Sequence, residues 1–261
     1  MSGELEMRID ELRASIRTRC IGRRIVFEEL LESTNLTAQD LGNAGEPEGV
    51  VVVADAQSGG RGRDGRSWVS PKGVNLYFSI LLRPECTVAR SSQLSIAAAF
   101  SLHRALSPYA PVQVKWPNDI WCGGRKLSGI LCSLSCMGSR TDFVVVGIGV
   151  NVNLDKFPEG VPGTSLLLEC GRRFDRAALL GEILAAFEQE YDAWRSMPDL
   201  SPWQARWKEI SLLEGRHVEV EQGGRLISGV ADGISPEGYL RLVEDGQVHE
   251  VTVGDAHIRR I

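Results

Sequence analysis

Short β-strand patterns joined by tight turns run through most of the chain and restrict the folds it can adopt. Every second residue from Val74 to Leu82 is apolar, which predicts a strand with one face in the core. The pair Gly123-Gly124 separates two further strand-like runs and predicts a hairpin turn. Because hairpin signals outnumber β-α-β units, the chain is predicted to be α+β with a mixed sheet.

The other elements are predicted from local patterns. Apolar residues recur at helical spacing near the N-terminus, and the segment Ser33 to Asn35 has the composition of a helix N-cap. Helices are predicted over 4–19, 92–106, 176–195 and 203–210. Further strands are predicted over 24–31, 49–54, 112–116, 120–122, 126–134 and 143–154.

The pattern changes near residue 212. From Leu213 onward, short strand-like runs alternate with turn signals at 223–224, 236–238 and 245–246. This alternation predicts a small all-β barrel. Two domains are therefore expected, residues 1–211 and residues 212–261.

Charge and composition narrow the class of protein. Hydrophobic residues make up 43% and charged residues 24%, as in an ordinary globular enzyme. The net charge of -5 gives no overall positive field to attract nucleic acid or an anionic membrane. The apolar runs are too short to span a bilayer, and the N-terminus is acidic, unlike a signal peptide. A cytoplasmic location is expected.

The cysteines and histidines do not form a metal-binding pattern. No C-x-x-C pair is present, since Cys132 and Cys136 are one residue too far apart, and the four histidines are scattered. Buried thiols are expected, rather than disulfides or a structural zinc site.

The densest functional signal is the segment from Gln57 to Trp68, named here the Gly/Arg loop. Four glycines and three arginines fall within residues 59–66, directly after a predicted buried strand. Glycine lets the backbone approach a ligand and present N–H groups to an anion, and guanidinium groups bind carboxylate or phosphate bidentately. A solvated basic turn is the simpler explanation, but it requires neither so many glycines nor the flanking Gln57 and Trp68. A pocket for an anionic ligand is predicted.

The Gly/Arg loop also contains Gly60, Gly62 and Gly65 at the spacing of the dinucleotide-binding fingerprint. That fingerprint requires a helix at its third glycine, whereas here residues 68–73 interrupt a helix and a strand follows. The sequence contains neither the H-R-D and D-F-G segments of protein kinases nor a Walker A motif. The sequence therefore does not match dinucleotide-binding proteins, protein kinases or Walker A nucleotide-binding proteins.

A second signal combines a lysine with a carboxylate. The segment Lys115 to Asp119 is followed by Lys126 and Gly129, and the hairpin turn between them brings Asp119 toward the strand that bears Lys126. The pair is either a structural ion pair or part of a phosphate site. In a phosphate site, Lys126 would neutralise charge at phosphorus and Asp119 would hold Mg²⁺.

A third signal is the run Gly147, Gly149 and Asn151 inside a predicted strand. Glycine within a strand marks either a bulge or the close approach of a ligand or another backbone. By itself the run is explained slightly better by a bulged core strand.

In combination these segments resemble the biotin–protein ligases. The segments at 33–35, 57–68, 115–129 and 147–151 occur in the order of that family and at similar spacings, and the resemblance extends through 164–166 into the C-terminal strands. It implies a mixed-sheet catalytic domain like that of class II synthetases and biotin–lipoate ligases, with an SH3-like C-terminal barrel. The resemblance implies a short form of the family, without the N-terminal DNA-binding domain of the repressor members.

The resemblance also implies an activity and its residues. ATP would activate biotin as biotinyl-5'-AMP, and biotin would pass to a lysine of a biotin carboxyl carrier domain of acetyl-CoA carboxylase or a related carboxylase. Lys126, Arg63 and Asp119 would be catalytic, and Asp119 would hold Mg²⁺ as the metal cofactor. The residues implied for biotin are Ser33, Thr34, Asn35, Gln57, Gly60, Arg61, Gly62, Arg63, Lys126 and Gly129. Those implied for ATP and the adenylate are Arg63, Arg66, Trp68, Asn118, Lys126 and Asn151.

The sequence also departs from the family and leaves alternatives open. Ser58-Gly59 replaces the Thr-Ala or Ala-Ala of many relatives, which removes no contact group. Only 32 residues precede Ser33, and one amphipathic helix does not supply a winged helix-turn-helix, so no sequence-specific DNA binding is expected. No membrane binding is expected either, because the net charge is negative and the apolar runs are short. The alternatives are a lipoate–protein ligase-like enzyme and a biotin-binding module without turnover. A monomer or a homodimer is expected.

Overall fold

The computed structural model describes residues 7–259. The helices are α1 (Ile9–Ser15), α2 (Thr34–Asn43), α3 (Val88–Ser91), α4 (Leu94–Leu106), α5 (Leu166–Cys170), α6 (Arg176–Ser196) and α7 (Gln204–Ile210). The strands are β1 (Arg24–Leu31), β2 (Val50–Gln57), β3 (Leu76–Leu82), β4 (Val112–Lys115), β5 (Asp119–Cys122), β6 (Arg125–Met137), β7 (Arg140–Val150), β8 (His217–Gln222), β9 (Arg225–Ile234), β10 (Leu240–Glu244), β11 (Gln247–Val251) and β12 (Ala256–Ile258).

A seven-stranded mixed sheet forms the larger part of the molecule. Its strand order is β1-β2-β3-β7-β6-β5-β4, in which β1 and β2 are parallel and the other neighbouring pairs are antiparallel. The parallel pair is connected through α2, because parallel neighbours require a crossover, whereas β4 to β7 follow one another through short turns. The predicted α+β class with a mixed sheet is confirmed.

Helices cover both faces of this sheet at its centre. α4 and α6 pack on one face, and α2 packs on β2, β3 and β7 from the other side. The prediction that β3 has a single core face was therefore wrong, since all seven of its residues are buried. Alternate residues of β3 face α2 on one side and the α4–α6 layer on the other.

The N-terminal helix is shorter than the predicted span of 4–19. Residues 4–6 lie outside the described residues, and α1 ends at Ser15. The backbone N–H groups of residues 19, 20 and 21 donate to the carboxylate of Glu188 on α6 at 2.7, 2.6 and 3.0 Å. A helix continued through residue 19 would use such groups for its own hydrogen bonds, so the carboxylate on α6 favours an extended segment here.

The C-terminal residues form a second, antiparallel sheet of five strands in the order β11-β10-β9-β8-β12. The three predicted turns at 223–224, 236–238 and 245–246 each connect consecutive strands of this sheet. The sheet agrees with the predicted small SH3-like unit. Within residues 7–259, however, its edge strands β11 and β12 do not pair with each other, so hydrogen bonds do not close it into a barrel.

The connection between the two sheets is short. α7 ends at Ile210 and β8 begins at His217, on either side of the predicted boundary at 212. Leu212 N donates to Val114 O at 2.8 Å, which ties the connection to the edge strand β4 of the larger sheet. The smaller sheet is therefore joined to the larger sheet beside β4.

Among the described residues, no helix is both long enough and apolar enough to cross a lipid bilayer.

Candidate functional site

A cavity of about 360 Å³ opens on the α2 side of the seven-stranded sheet. Val145 on β7 packs with α2, and Gly147 and Gly149 face the same side because they lie two and four residues further along the strand. Without side chains, these glycines leave space above the sheet. The floor continues over β6, β5 and β4 to Lys115. The volume lies within the range of roughly 300–1,000 Å³ that is typical of small-molecule sites.

The end of the cavity at α2 carries neutral polar side chains. Gln57 Oε1 accepts a hydrogen bond from Thr34 N at 2.9 Å and lies 3.3 Å from Thr34 Oγ1. Ser79 Oγ on β3 lies 2.8 Å from Thr34 Oγ1 and 2.5 Å from Asn35 Oδ1. Asn35 Nδ2 donates to Leu131 O at 3.1 Å. This network fixes the side chains of Thr34, Asn35 and Gln57 before any ligand arrives.

Two glycines of β7 allow other side chains to lie directly on the sheet. A Cβ atom added at Gly147 would lie 1.9 Å from Asn35 Oδ1, and one at Gly149 would lie 2.6 Å from the ring of Trp68. Both glycines keep regular pairing with β3 and β6. The slightly favoured prediction of a bulged core strand was therefore wrong, since close approach of Asn35 and Trp68 explains the glycines.

Trp68 lies across the middle of the cavity floor. Its ring covers Gly149 and also Gly129, where an added Cβ would lie 3.2 Å from Trp68 Cζ3. Lys126 Nζ lies 5.4 Å from the centroid of the ring, which is within the range of cation–π attraction. Trp68 Nε1 is buried and has no hydrogen-bond partner among residues 7–259. The indole provides a flat apolar surface with one unsatisfied donor.

The predicted lysine–carboxylate pair lies beside Trp68. Lys126 Nζ is 2.7 Å from Asp119 Oδ1. This contact is an ion pair, and Asp119 Oδ1 is buried. Asn118 Nδ2 donates to Ile130 O at 2.6 Å, which holds the preceding turn against β6. The predicted proximity of Asp119 to Lys126 is confirmed.

The Gly/Arg loop is closed by its own backbone. Trp68 N donates to Gly60 O at 2.8 Å, and Gly62 N donates to Arg66 O at 2.7 Å. A Cβ at Gly60 would lie 2.5 Å from Trp68 O, so only glycine allows this closure. At the rim, Arg61 Nη2 donates to the exposed Glu32 carboxylate at 3.2 Å.

The tip of the loop contacts the C-terminal sheet. Arg63 Nη1 donates to Asn118 Oδ1 at 3.1 Å, and Arg63 Nη2 donates to Gly254 O at 3.2 Å. Arg66 Nη1 donates to Asp255 Oδ2 at 2.8 Å, and Lys115 Nζ lies 3.5 Å from Asp255 Oδ1. Residues 254–255 therefore hold two arginines of the loop and a lysine of the larger sheet at one place.

These contacts determine the charge state of Asp255. Burial alone would raise the pKa of Asp255, but the hydrogen bond from Arg66 and the charge of Lys115 outweigh burial and lower it below the ordinary value. The same hydrogen bond raises the pKa of Arg66. Because the pKa of a carboxylate is lowered here, the contact is present at neutral pH and is lost as the pH falls through the lowered value.

Asn151 is supported by a neighbour that lines no part of the cavity. Asn75 Nδ2 donates to Asn151 Oδ1 at 3.4 Å, and Asn75 Oδ1 accepts from Val152 N at 2.9 Å. Both asparagines are buried. Asn75 therefore orients Asn151, a role that the sequence did not suggest because Asn75 lies within a run of apolar residues.

Nearly all of the predicted site residues line this one cavity. Gly60 is the exception, since it is buried at the base of the Gly/Arg loop and does not line the cavity. Ser33 is the N-cap residue of α2, as predicted, although its side chain makes no capping hydrogen bond. The predicted residues that line the cavity are Ser33, Thr34, Asn35, Gln57, Arg61, Gly62, Arg63, Arg66, Trp68, Asn118, Asp119, Lys126, Gly129 and Asn151.

Other lining residues were not predicted. Lys115 lines the cavity and belongs to the segment from Lys115 to Asp119, but the sequence predicted no role for this lysine. Trp121 also lines the cavity, and the sequence indicated only that it lies in a strand. Phe157 and Val161 come from the connection after β7, which has no motif. Asp255 is 189 residues from its partner Arg66, so no local pattern indicates that they meet.

The carboxylates that line the cavity, Asp119 and Asp255, suit a metal ion that binds together with a nucleotide. Within the part of the chain that the structure describes, no group of three or more Asp, Glu, His or Cys side chains is arranged to hold a metal ion. Mg²⁺ is commonly bound by one or two carboxylates together with phosphate oxygens and water. Asp119 and Asp255 both line the cavity and could supply such oxygens.

The two parts of the chain match two protein families. Residues 27–151 match the Biotin/lipoate A/B protein ligase family, and residues 215–259 match the Biotin protein ligase C terminal domain. The first match contains the Gly/Arg loop and the Lys126–Asp119 pair. The second contains the segment that holds the tip of the loop.

Individual proteins show the same relationship over nearly the whole chain. The chain is 33% identical over 254 residues to the Bifunctional ligase/repressor BirA of Bacillus subtilis, covering 95% of this chain and 78% of that protein. It is 32% identical over 262 residues to the Biotin--[acetyl-CoA-carboxylase] ligase of Mycobacterium tuberculosis, covering 94% and 95% of the two chains. The Biotin protein ligase from Aquifex aeolicus in complex with biotin and ATP superimposes with a TM-score of 0.76 at 28% identity, covering 92% of this chain and 100% of that chain. The chain belongs to the biotin protein ligase family.

Proposed function

We propose that this chain uses ATP to convert biotin to biotinyl-5'-AMP and then transfers biotin to one lysine of a biotin carboxyl carrier protein. The observation that carries the proposal is the order of groups along one cavity. Neutral hydrogen-bonding side chains lie at one end, the Lys126–Asp119 pair lies in the middle, and Lys115 and Arg66 lie at the other end. Biotin has a neutral ureido head and a carboxylate, and that carboxylate must meet the polyphosphate of ATP.

The biotin head is assigned to the end at α2. Ser33, Thr34 and Gln57 hydrogen-bond the ureido group, and Asn35 packs beside it. Thr34 and Gln57 are already held by each other and by Ser79, which favours binding because little side-chain entropy is lost. The loop residues Arg61, Gly62 and Arg63 close over the bound biotin, with Gly129 on the floor, and Gly60 supports the base of the loop through its contact with Trp68.

ATP is assigned to the region between Trp68 and Arg66. Trp68 covers the adenine, and Asn118 and Asn151 lie on the nucleotide side with Arg63 and Arg66. Asp119 is the proposed ligand of Mg²⁺, which neutralises phosphate charge when it is bound. The pairing of Asp119 with Lys126 supports this assignment, because it keeps the carboxylate beside the place where the phosphates would lie.

The first step is attack of the biotin carboxylate oxygen on the α-phosphorus of ATP. The bond from the α-phosphorus to the bridging oxygen breaks, and pyrophosphate leaves with the electron pair. Lys126 and Arg63 stabilise the charge that develops on the α-phosphate, so most of the catalysis is positioning and charge neutralisation.

The second step is attack of the carrier lysine on the acyl carbon of the adenylate. A free lysine has a pKa of about 10.4 and must lose a proton before it attacks. Asp119 is the candidate to orient the ammonium or accept the proton. AMP leaves, and the Gly/Arg loop keeps water away from the mixed anhydride until the lysine arrives.

Biotin protein ligases act on biotin carboxyl carrier proteins, and for this chain the proposed partner is the carrier domain of acetyl-CoA carboxylase or a related carboxylase. The reaction is assigned to the cytoplasm. The chain is expected to act as a monomer or a homodimer.

The test is transfer of biotin to a recombinant carrier domain, followed by intact mass with and without ATP and Mg²⁺. We expect a gain of one biotin on one lysine that depends on ATP. A gain with lipoate but not with biotin would keep the chemistry and replace the substrate. No gain with either acid would contradict the proposed function and favour a binding module without turnover.

A further inference from the structure

Lysine is rare in this chain. Only five of its 29 lysine and arginine residues are lysines. An acyl adenylate reacts with a neutral amine, whereas the guanidinium group of arginine stays protonated and does not accept an acyl group. A protein that forms such an adenylate therefore offers it few amines of its own when most of its cations are arginines. The positions of the five lysines decide which of them can react.

Four of the five lysines are paired with a carboxylate. The four pairs are Lys72–Glu29, Lys115–Asp255, Lys126–Asp119 and Lys208–Asp232. A neighbouring carboxylate favours the ammonium form of a lysine, which has no lone pair for attack on an acyl carbon. At Lys208, for example, the hydrogen bond to Asp232 raises the pKa of the amine. Pairing therefore makes these four lysines poor nucleophiles.

Lys156 is the lysine that no carboxylate holds. It is exposed and lies in the connection between β7 and α5, residues 151–165. Within residues 7–259 its amine makes neither an ion pair nor a hydrogen bond. No partner in this part of the chain therefore stops the Lys156 ammonium from giving a proton to solvent and acting as a nucleophile.

The connection that carries Lys156 runs beside Lys126. Lys126 N donates to Pro162 O at 3.1 Å, and Gly163 forms a parallel bridge with Lys126. A Cβ atom at Gly163 would lie 2.5 Å from the ring of Phe157, so this ring lies directly on the residue that is paired with Lys126. Phe157 lines the cavity and directly follows Lys156. Since lysine has a flexible four-carbon stem, the amine of Lys156 can reach the rim beside Lys126.

We propose that Lys156 is a self-modification site, which takes biotin from biotinyl-5'-AMP when no carrier protein is present. The site rests on the proposed adenylation reaction. The neutral Nζ of Lys156 attacks the acyl carbon of the adenylate, a C–N bond forms, and the bond from the acyl carbon to the phosphate oxygen breaks. AMP leaves with the electron pair, and the proton of the amine passes to solvent. The product is one biotinyl-lysine at residue 156.

Position distinguishes Lys156 from the other two lysines outside the cavity. Lys72 is 48% exposed and Lys208 is 42% exposed, so an adenylate released into solvent could meet both. Neither lysine adjoins a residue that lines the cavity. An adenylate that is still bound therefore meets the amine of Lys156 first, and a group that is held close reacts far faster than one that must arrive by diffusion.

The experiment incubates the wild type with biotin, ATP and Mg²⁺, without a carrier, together with an equal amount of Lys126→Ala. That variant keeps Lys156 but should form no adenylate of its own, and intact mass distinguishes the two proteins. Peptide mapping locates the biotin, and pyrophosphate release reports adenylate formation. Lys156→Arg keeps the charge and removes the acceptor amine. Lys72→Arg and Lys208→Arg are the matched controls at paired lysines.

We expect the wild type to gain one biotin on Lys156, at least about 10-fold faster than on Lys72 or Lys208. The Lys126→Ala protein in the same tube should gain at least about 10-fold less, because transfer occurs within the molecule that forms the adenylate. Lys156→Arg should abolish the gain, and the two control variants should keep it. First-turnover pyrophosphate release and transfer to a carrier domain should match the wild type in all three arginine variants.

Two outcomes would overturn the self-modification site. One is first-turnover pyrophosphate release by the wild type with no biotin on Lys156. The other is equal label on Lys156, Lys72 and Lys208, or equal label on the wild type and Lys126→Ala, since either would show an adenylate that reacts from solution. A wild type that releases no pyrophosphate with biotin and ATP would instead contradict the proposed function, and the site with it.

Discussion

At the scale of single residues, the shape of the cavity depends on glycines that make room for other side chains. Asn35 lies over Gly147, and Trp68 lies over Gly149 and Gly129. The side chains of Asn35 and Trp68 thus lie directly on the backbone of these glycines and form part of the cavity floor. An added Cβ atom at Gly147 or Gly149 must displace the residue above it, because separations of 1.9 and 2.6 Å fall well below van der Waals contact.

Alanine substitutions at Gly147 and at Gly149 should weaken the binding of different substrates. Gly147→Ala must displace Asn35 and should raise the KM for biotin by about 10-fold or more, which corresponds to about 1.4 kcal/mol of lost binding. Gly149→Ala must displace Trp68 and should instead raise the KM for ATP. Initial rates of pyrophosphate release measure both values, and each variant serves as the control for the other. A rise in the same KM for both variants would contradict the assignment of the two ends.

Removal of the Lys126 ammonium should stop the first step without unfolding the protein. Lys126 is half-buried and packs on Trp68, so Lys126→Ala removes a surface of the cavity and not a part of the core. Loss of one group that stabilises transition-state charge lowers a rate by at least about 100-fold. Biotin-dependent pyrophosphate release gives the rate, and circular dichroism confirms the fold. Retention of wild-type release would exclude Lys126 from the mechanism.

At the scale of elements, the Gly/Arg loop acts as one unit. Its stem is held by hydrogen bonds from Ser58 N to Leu31 O and from Gly59 N to Glu32 O, both at 2.9 Å. Its tip is held by Arg63, which contacts Asn118 on one side and Gly254 on the other. Together with the hydrogen bond from Arg66 to Asp255, only three side-chain hydrogen bonds hold the tip, so the loop is suited to open and close over a bound adenylate.

Arg63→Gly should open this loop. The change removes two hydrogen bonds of about 1 kcal/mol each and adds backbone freedom, so the closed state should lose roughly 10- to 100-fold in population. Biotinyl-5'-AMP should then escape and label lysines of a bystander protein, which mass spectrometry detects after incubation with biotin and ATP. Label confined to the carrier lysine, as in the wild type, would show that Arg63 does not retain the adenylate.

At the scale of the whole molecule, the cavity is completed by the C-terminal sheet. Gly254 and Asp255 lie just before β12, and they contact Arg63, Arg66 and Lys115 of the larger part of the chain. Gly254 has φ 142, and a Cβ there would lie 2.5 Å from Val220 Cγ1, so this turn depends on glycine. The two sheets are thus coupled at the place where the phosphates are proposed to bind.

Asp255→Asn should loosen the loop even without substrates. The variant loses the charge that holds Arg66 and Lys115, but Arg66 is largely exposed, so the change in opening free energy is at most about 1 kcal/mol. Trypsin should cleave the loop about 2- to 5-fold faster than in the wild type. Asp245→Asn is the matched control, because Asp245 lies in an exposed turn of the same sheet at φ 50, which asparagine tolerates. Equal cleavage in the wild type and both variants would show that Asp255 does not hold the loop.

The sequence by itself determined the features that depend on near neighbours. Alternation and hairpin turns predicted the strands, since both are local properties, and the span of β1 was predicted to the residue. The loop residues from Gln57 to Trp68 and the pair Asp119 and Lys126 were also recognisable, because each motif lies within about a dozen residues.

Tertiary structure decided what depends on residues far apart in the chain. Burial of both faces of β3 required α2 to pack on the sheet, and the end of α1 depended on Glu188 of α6. Likewise, no local pattern indicated that Asp255 meets Arg66, which precedes it by 189 residues. Local propensity is set by adjacent residues, whereas burial, ion pairs and the shape of a cavity depend on which distant elements the folded chain brings into contact.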